Sequence, residues 1–327
     1  MPLIKDSTRK MWETQGEGAR GVLRIFNMIH GYLYYTIYDH YVIAATTILR
    51  WLARHPNWAL TPKFYHYILD RYHCKTVTFD NVKKLPVAED ITVPVEVAKK
   101  VAPFKYARKI IIENWDKLAF VDCPCRLEKA ALGREPCEPI NTCLFFGDMG
   151  VDFVTEHMPR MHARRVTADE ALEQLQSNYE KGYAFTIWYK DATGYRAGVL
   201  CSCCSCCCFG TEVERMARRI PGMSDLKITA PSGFSVVTDT DKCELCGECT
   251  ACPYEAREMM ENPDGGKELA YHYELCMGCG QCVSKCPVDA IELVRDGNKG
   301  VPFDIEAIRE EVEGKKAAPM AGAGRAR

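Results

Sequence analysis

From about residue 20 to 54, apolar side chains recur at every third or fourth position: Phe26, Ile29, Leu33, Ile37, Tyr41, Ala44, Ile48 and Leu52. That spacing puts them on one stripe of an α-helix, or of two helices joined near Gly31, and His55-Pro56 ends the pattern. The plain expectation is a stripe packed on the protein's own core. The alternative is an outward face that meets a partner subunit or a membrane surface. Arg24, Asp39, His40 and Arg50 suit a wet side, so nothing in the pattern demands a membrane. Residues 85–94 are polar and contain proline, which reads as a boundary or linker. Thr167 and Glu170 form a T-x-x-E capping box that opens a helix, and Gly182 closes it. The runs YAFTIWY and GFSVV, at 183–189 and 233–237, favour strands. The expected class is α+β. A helical N-terminal region (1–62) and a connecting segment (63–99) precede a middle domain of α/β type (100–235). A compact C-terminal unit (236–297) and a tail (298–327) follow. From Gly314 the tail is Ala/Gly-rich and basic, a composition that favours disorder.

Charge adds little for the whole chain and more for its parts. The 327 residues carry 42 Lys+Arg against 44 Asp+Glu. That balance excludes a global basic signature, so no nucleic-acid partner is expected. Residues 239–296 alone hold 13 acidic and 5 basic side chains. An acidic module therefore sits on a mildly basic body, either as a solvated surface or as a docking face for a basic redox partner. No uncharged stretch reaches 18 residues, so no transmembrane segment is expected, and membrane contact would be peripheral, through residues 20–54. The N-terminus MPLIKDSTRKMWETQ lacks the apolar core of a secretory signal. A cytoplasmic chain with reduced thiols is the expectation.

Thiols are the compositional outlier: there are 19 cysteines, mostly in runs. Cys123, Cys125, Cys137 and Cys143 form one group. Cys201, Cys203, Cys204, Cys206, Cys207 and Cys208 form another. Cys74 stands alone and reads as a small buried hydrophobe. Six thiols in eight residues stay close together whether the segment is strand or helix, and several neighbouring thiolates need cations. Metal binding by both groups is the expectation, as one or two further iron–sulfur clusters, with zinc, a dithiol switch or free thiols as alternatives. Ten cysteines suffice for two cubanes with two to spare, or for one cluster drawing on both runs.

Residues 236–297 contain an internal repeat. Cys243, Cys246 and Cys249 recur 33 positions later as Cys276, Cys279 and Cys282. The second copy continues to Cys286-Pro287 as C-x2-C-x2-C-x3-C-P. This unit resembles the bacterial dicluster ferredoxins, which have that spacing. The resemblance implies a dicluster ferredoxin-like domain with two 4Fe–4S clusters, one on Cys243, Cys246, Cys249 and Cys286, the other on Cys276, Cys279, Cys282 and Cys252. The first copy departs from the pattern, with x2 rather than x3 before Cys252-Pro253, so reaching the second cluster requires altered geometry or a local bulge. Gly247, Gly278 and Gly280 would let backbone amides approach the cluster sulfides. The whole combination of cysteine runs is more loosely similar to multi-cysteine iron–sulfur proteins of anaerobes.

Gly16-Glu-Gly-Ala-Arg-Gly21 fits G-x-G-x-x-G, but no buried strand precedes it. No phosphate-binding loop, radical-SAM triplet or histidine-based site is present. The leading expectation is an electron carrier that relays single electrons through the ferredoxin clusters, to or within a larger oxidoreductase. It would be a subunit rather than a catalyst, with no residue assigned as acid, base or nucleophile. The alternative is an iron–sulfur reductase whose catalytic cluster is built from the 123–143 and 201–208 cysteines. A third reading is a structural adaptor with zinc in the middle domain.

Overall fold

The computed structural model describes residues 4–16, 21–69, 71–103, 110–112, 115–190, 197–224 and 226–317. In chain order the strands are β1 (Tyr72–Val77), β2 (Ile91–Val93), β3 (Ile110–Ile112), β4 (Leu118–Asp122), β5 (Asn141–Phe146), β6 (Arg164–Val166), β7 (Ala184–Lys190), β8 (Ala197–Cys203), β9 (Thr229–Ala230), β10 (Phe234–Thr238), β11 (Arg257–Glu261), β12 (Lys267–Tyr271) and β13 (Ile291–Arg295). Seven of them form one sheet in the order β6-β4-β5-β8-β7-β1-β9. Its neighbours are antiparallel except for β1 and β9. The chain is thus α+β, and the middle sheet is not the alternating parallel type.

Alternation along the strands sends successive side chains to opposite faces. One face buries Phe120, Leu144, Phe185 and Leu200 against helices Val95–Val101, Ala168–Glu180 and Ile305–Ala317. The other face carries Val121, Cys143, Phe145 and Val199, which meet Tyr34, Tyr35 and Tyr38 from the N-terminal helices. The helix Ala168–Glu180 opens on the expected capping box, with Thr167 and Glu170 bonded reciprocally. Gly182 ends it at φ +83°.

Three departures from the sequence pattern have identifiable causes. The N-terminal helices Val22–Thr36 and Tyr38–Ala53 break at Ile37, not at Gly31. Their apolar stripe does not pack on the core: Phe26 (51%), Ile29 (55%), Leu33 (49%), Ile37 (42%) and Ile48 (48%) are exposed, and only Leu52 of the stripe is fully buried. The adjoining face, with Tyr34, Tyr35, Tyr38 and Leu49, is buried instead. Tyrosine can fill a core and still place its hydroxyl on a polar partner, as Tyr38 does with Lys190 Nζ at 2.6 Å. Among the described residues, no helix is long and apolar enough to cross a membrane.

The connecting segment holds β1, an interior strand of the main sheet. Lys75 disguises it. Its amine is buried against the Pro231 carbonyl, and burial lowers its pKa to about 7. The tail also contributes structure: residues 305–317 are helical, and Ile305, Ile308 and Val312 enter the core of the main sheet. Residues 318–327 and most of the glycine motif, at 17–20, lie outside the described residues.

Arg50 binds two helices at once. It pairs with the buried Glu128 on helix Pro124–Ala131, and with Glu212 on helix Phe209–Arg218, Nη2 to Oε2 at 2.7 Å. These two helices begin directly after Cys123 and Cys208. Arg50→Met leaves Glu128 buried without its cation and should lower stability by about 3 kcal/mol. Denaturant melts of Arg50→Met, and of the double variant that adds Glu128→Gln, test this. The double variant should recover part of the loss, and an unchanged midpoint in the single variant would contradict the role given to the pair.

Candidate metal centres

Two cysteine loops organise the C-terminal unit. The first joins β10 to β11 and the second joins β12 to β13. The four strands pair as β10–β13 and β11–β12. Gly247, Gly278 and Gly280 have φ of +84°, +62° and +78°. At Gly278 a Cβ would also collide with the Phe234 carbonyl oxygen and the Ser232 hydroxyl, so glycine is required by packing as well as by backbone conformation.

Cys252, Cys276, Cys279 and Cys282 line one small cavity with Arg257 and Tyr271. The shortened spacing therefore still brings Cys252 to the second triplet. Cys249 lies within electrostatic reach of Cys243 and Cys246 and shares an apolar cluster with Cys286. Burial, followed by the neighbouring thiols Cys252 and Cys282, holds the Cys279 thiol well above its ordinary pKa. Burial pushes Cys282 up to about 12. Such thiols ionise only when a cation replaces the proton.

Arg257 supplies the test of fit for an anionic cluster. It is buried, and its Nη1 donates to Thr238 Oγ1 at 2.8 Å. Among the described residues its Nε and Nη2 have no hydrogen-bond partner, and the Tyr271 hydroxyl faces the Cys276 thiol. Its charge favours the thiolates of Cys249, Cys252 and Cys282, from both motifs. Buried donors without acceptors beside four thiols fit a 4Fe–4S cluster, whose sulfurs accept hydrogen bonds.

The ten middle-domain thiols are redistributed relative to their order in sequence. Six form a closed ring, each hydrogen-bonded to two others: Cys123, Cys125, Cys208, Cys203, Cys201, Cys143 and back to Cys123. The pleat accounts for part of this, because Cys201 and Cys203 point to the same face of β8 and Cys143 comes from the adjacent β5. The turn Cys123-Pro124-Cys125 supplies two more at the start of a helix, and Cys208 caps the next helix. The other four, Cys137, Cys204, Cys206 and Cys207, have sulfurs all within 4.8 Å of one another. Both sets draw on both runs. The Cys203-x2-Cys206 pair is split between them, while Cys204 and Cys207 stay together.

Two buried cations face the ring. Burial opposes the charge of Arg126, but Cys123 and Cys204 hold its pKa above the ordinary value. Hydrogen bonds from Cys143 and Cys203, with the charge of Lys190 adding to them, lower the Cys201 thiol to about 5. A cavity of about 100 Å³ is lined by all six ring thiols and by Cys204 and Cys207 of the other set, with Tyr34, Tyr38, Trp188 and Lys190 on its wall. Cys74 lies outside both sets, its sulfur 3.4 Å from Thr229 Oγ1.

The two thiol regions are joined by short polar contacts. Tyr254 is buried against Ala184, Met277 and Cys279, and its hydroxyl lies 3.2 Å from Thr76 Oγ1. Thr76 pairs across strands with Thr186, whose hydroxyl lies 3.4 Å from Cys203 Sγ. Arg215 donates to the carbonyls of Ser205, in the cysteine run, and Pro253, beside Cys252. Sequence reading missed Tyr254, Arg257, Arg126 and Lys190. Arg126, Tyr254 and Arg257 each stand within a few residues of a cysteine motif, which was a usable signal, whereas Lys190 gave none.

Comparison with known proteins bears on the C-terminal unit. The 4Fe-4S binding domain profile matches residues 269–292. A pyruvate synthase subunit PorD of Methanocaldococcus jannaschii is 38% identical over 64 residues, covering 19% of this chain and 70% of that protein. A ferredoxin of Pyrobaculum islandicum is 47% identical over 57 residues, 17% of this chain and half of that protein. A polyferredoxin protein MvhB of Methanothermus fervidus is 36% identical over 85 residues, 23% of this chain and 21% of that one. Each of these relatives matches less than a quarter of the chain. Paired cysteine loops, an anion-seeking cavity between them and these relatives lead to one conclusion: through its C-terminal unit, an iron–sulfur electron-transfer domain, the chain belongs to the 4Fe–4S ferredoxin family.

Proposed function

We propose that this chain is an electron-transfer component of a larger oxidoreductase. Two ferredoxin-type 4Fe–4S clusters would exchange electrons with metal held by the ten thiols of the middle domain. One cluster takes Cys243, Cys246, Cys249 and Cys286, the other Cys252, Cys276, Cys279 and Cys282. The observation that carries the relay is the bridge from Cys279 through Tyr254, Thr76 and Thr186 to Cys203, which leaves no solvent gap between the two thiol regions. Cys246 is exposed and flanked by the exposed acids Asp241, Glu244 and Glu248. That corner suits electron exchange with a basic partner surface. The relative from M. jannaschii is itself a subunit of pyruvate synthase, which favours the same kind of assembly here.

A second reading is favoured by the cavity over the ring thiols. Its aromatic wall and buried Lys190 suit a small ligand at a catalytic cluster, which would make the chain a reductase fed by its own ferredoxin unit.

The exposed stripe of the N-terminal helices favours a peripheral contact with an anionic membrane surface. Residues 22–53 make two helices with a one-residue break at Ile37, where the chain bends enough to bring His30 Nε2 within 3.2 Å of the Tyr41 hydroxyl. Residues 21–69 contain Arg24, Arg54 and Lys63, besides the Arg50 already paired with Glu128 and Glu212, and one acid, Asp39, which is itself paired with Arg160. Trp51 and Trp58 are also exposed at the far end. An apolar stripe with a cationic rim and interfacial tryptophans matches helices that lie in the headgroup region.

Three measurements check these statements. Arg257→Leu removes the cation beside one set of thiols, so one ferredoxin-type cluster should fall in potential by on the order of tens of millivolts while the other moves less. Redox titration followed by EPR reads this, and unchanged potentials would remove Arg257 from the site. Tyr254→Ala should slow reduction of the middle-domain centre several-fold in stopped-flow without slowing the ferredoxin clusters, and Tyr254→Phe should restore most of the rate. Equal rates in all three proteins would discard the bridge. Vesicles of phosphatidylglycerol and phosphatidylcholine should bind the full chain, and pure phosphatidylcholine should bind it less. Phe26→Ser/Ile29→Ser/Leu33→Ser should weaken binding about a hundredfold, from roughly 1 kcal/mol per side chain. No binding to either vesicle would leave the stripe to a protein partner.

A further inference from the structure

We propose that the six ring thiols, Cys123, Cys125, Cys143, Cys201, Cys203 and Cys208, bind one polynuclear iron–sulfur centre that is not a cubane, and that Cys137, Cys204, Cys206 and Cys207 bind a single tetrahedral metal ion. This rests on the reading that the middle-domain thiols hold metal, and it fixes how many centres there are and of what kind.

The argument for the ring begins with sulfur contact. In a cubane each thiolate has its own iron, so the four ligands stand apart. The eight ferredoxin cysteines follow that rule: among the described residues no sulfur–sulfur hydrogen bond links them, only longer-range electrostatic coupling. In the ring each thiol is close enough to two others to interact with them by hydrogen bonding, and the Cys143 and Cys201 sulfurs are 4.0 Å apart. Thiolates in contact are suited to sharing an iron or bridging two. A single ion takes four ligands, so six exceed it.

Charge and softness agree. All six ring residues are thiols, and sulfur-only ligation favours iron–sulfur chemistry over the hard cations. Six thiolates carry two more negative charges than a cubane's four, and two buried cations stand beside them. Arg126 is held between the Pro139 and Ser202 carbonyls, and Lys190 is held by the Tyr38 hydroxyl. The cavity lined by all six residues gives room for inorganic atoms, and Cys204 and Cys207 of the other set stand at its edge, so the two centres would be neighbours.

The set of four has the opposite character. Cys137 and Cys206 sulfurs are 3.0 Å apart, Cys206 and Cys207 3.6 Å. A tetrahedral ion with metal–sulfur bonds of about 2.3 Å separates its ligands by roughly 3.8 Å, which the set matches and a cubane exceeds. The Cys137 amide donates to Cys207 Sγ at 3.4 Å, an outer hydrogen bond of the kind that orients a ligating thiolate.

The test uses the full chain, isolated without oxygen, with metal and sulfide analysis and Mössbauer spectroscopy on iron-57 protein. Cys125→Ser and Cys201→Ser come from different runs, yet each should abolish the same non-cubane component. Cys206→Ser should leave that component and lose one metal ion per chain. Cys74→Ser, a buried thiol outside both sets, should change neither and controls for damage to the core. Ferredoxin-type signals should persist in all four variants. A middle-domain signal of cubane type, or one that survives Cys125→Ser but not Cys201→Ser, overturns the assignment while leaving metal binding in place. A parent chain with intact ferredoxin signals and no middle-domain metal overturns both.

Discussion

The structure turns on the cost of ionising sulfur away from water. Cys123, Cys143, Cys201, Cys203 and Cys208 sit between a central sheet and the helices that cover it, where a lone thiolate would be strongly disfavoured. Only two things offset that cost: hydrogen bonds from neighbouring thiols, and positive charge. The ring supplies the first, and Arg126 and Lys190 contribute to the second. The ferredoxin unit meets the same constraint with a different part, the buried guanidinium of Arg257. In both places the fold delivers a cation and unpaired or sulfur-directed donors to a pocket otherwise lined by apolar groups. That combination favours an anionic inorganic core over a simple protein interior.

Much of this was legible in the amino-acid order where the relevant interaction is local. Loop spacing points to the proposed ferredoxin ligands because three thiolates on one tight turn need those intervals. The Thr167–Glu170 cap and the strands at 184–190 and 234–238 follow from neighbours a few positions apart. What escaped the sequence depends on distant contacts. The division of ten thiols is set by the pairing of β5 with β8 and by helices that start after Cys123 and Cys208. β1 was hidden by Lys75, whose charge marks it as surface until a carbonyl across the fold accepts a hydrogen bond from its amine. The apolar stripe was visible, but its direction was not. Periodicity identifies a face without saying what it meets, and here the tyrosines took the interior.

The two halves of the molecule are also tied at more than one depth. Gln281 donates to the Tyr183 carbonyl at 2.6 Å, just before β7, and Arg218 pairs with Glu255 at 2.9 Å on the surface. Tyr254, from the first cysteine loop, packs on Cys279 of the second and reaches the strand that carries Thr76. The acidic excess of residues 239–296 therefore does not describe a free-standing carrier. Its inner side is closed against the sheet, and its charge is left on the rim near Cys246.

The helix Ile305–Ala317 changes how the ferredoxin unit must behave. The chain leaves the main sheet at β9, builds both cysteine loops, and then comes back to bury Phe303, Ile308 and Val312 under the same sheet. The cluster-bearing segment is thus pinned fore and aft, like a bridge span on two piers rather than a flag on a pole. It has no slack to swing toward one partner and then another, so electrons would travel a path of constant length while the donor and acceptor do the moving.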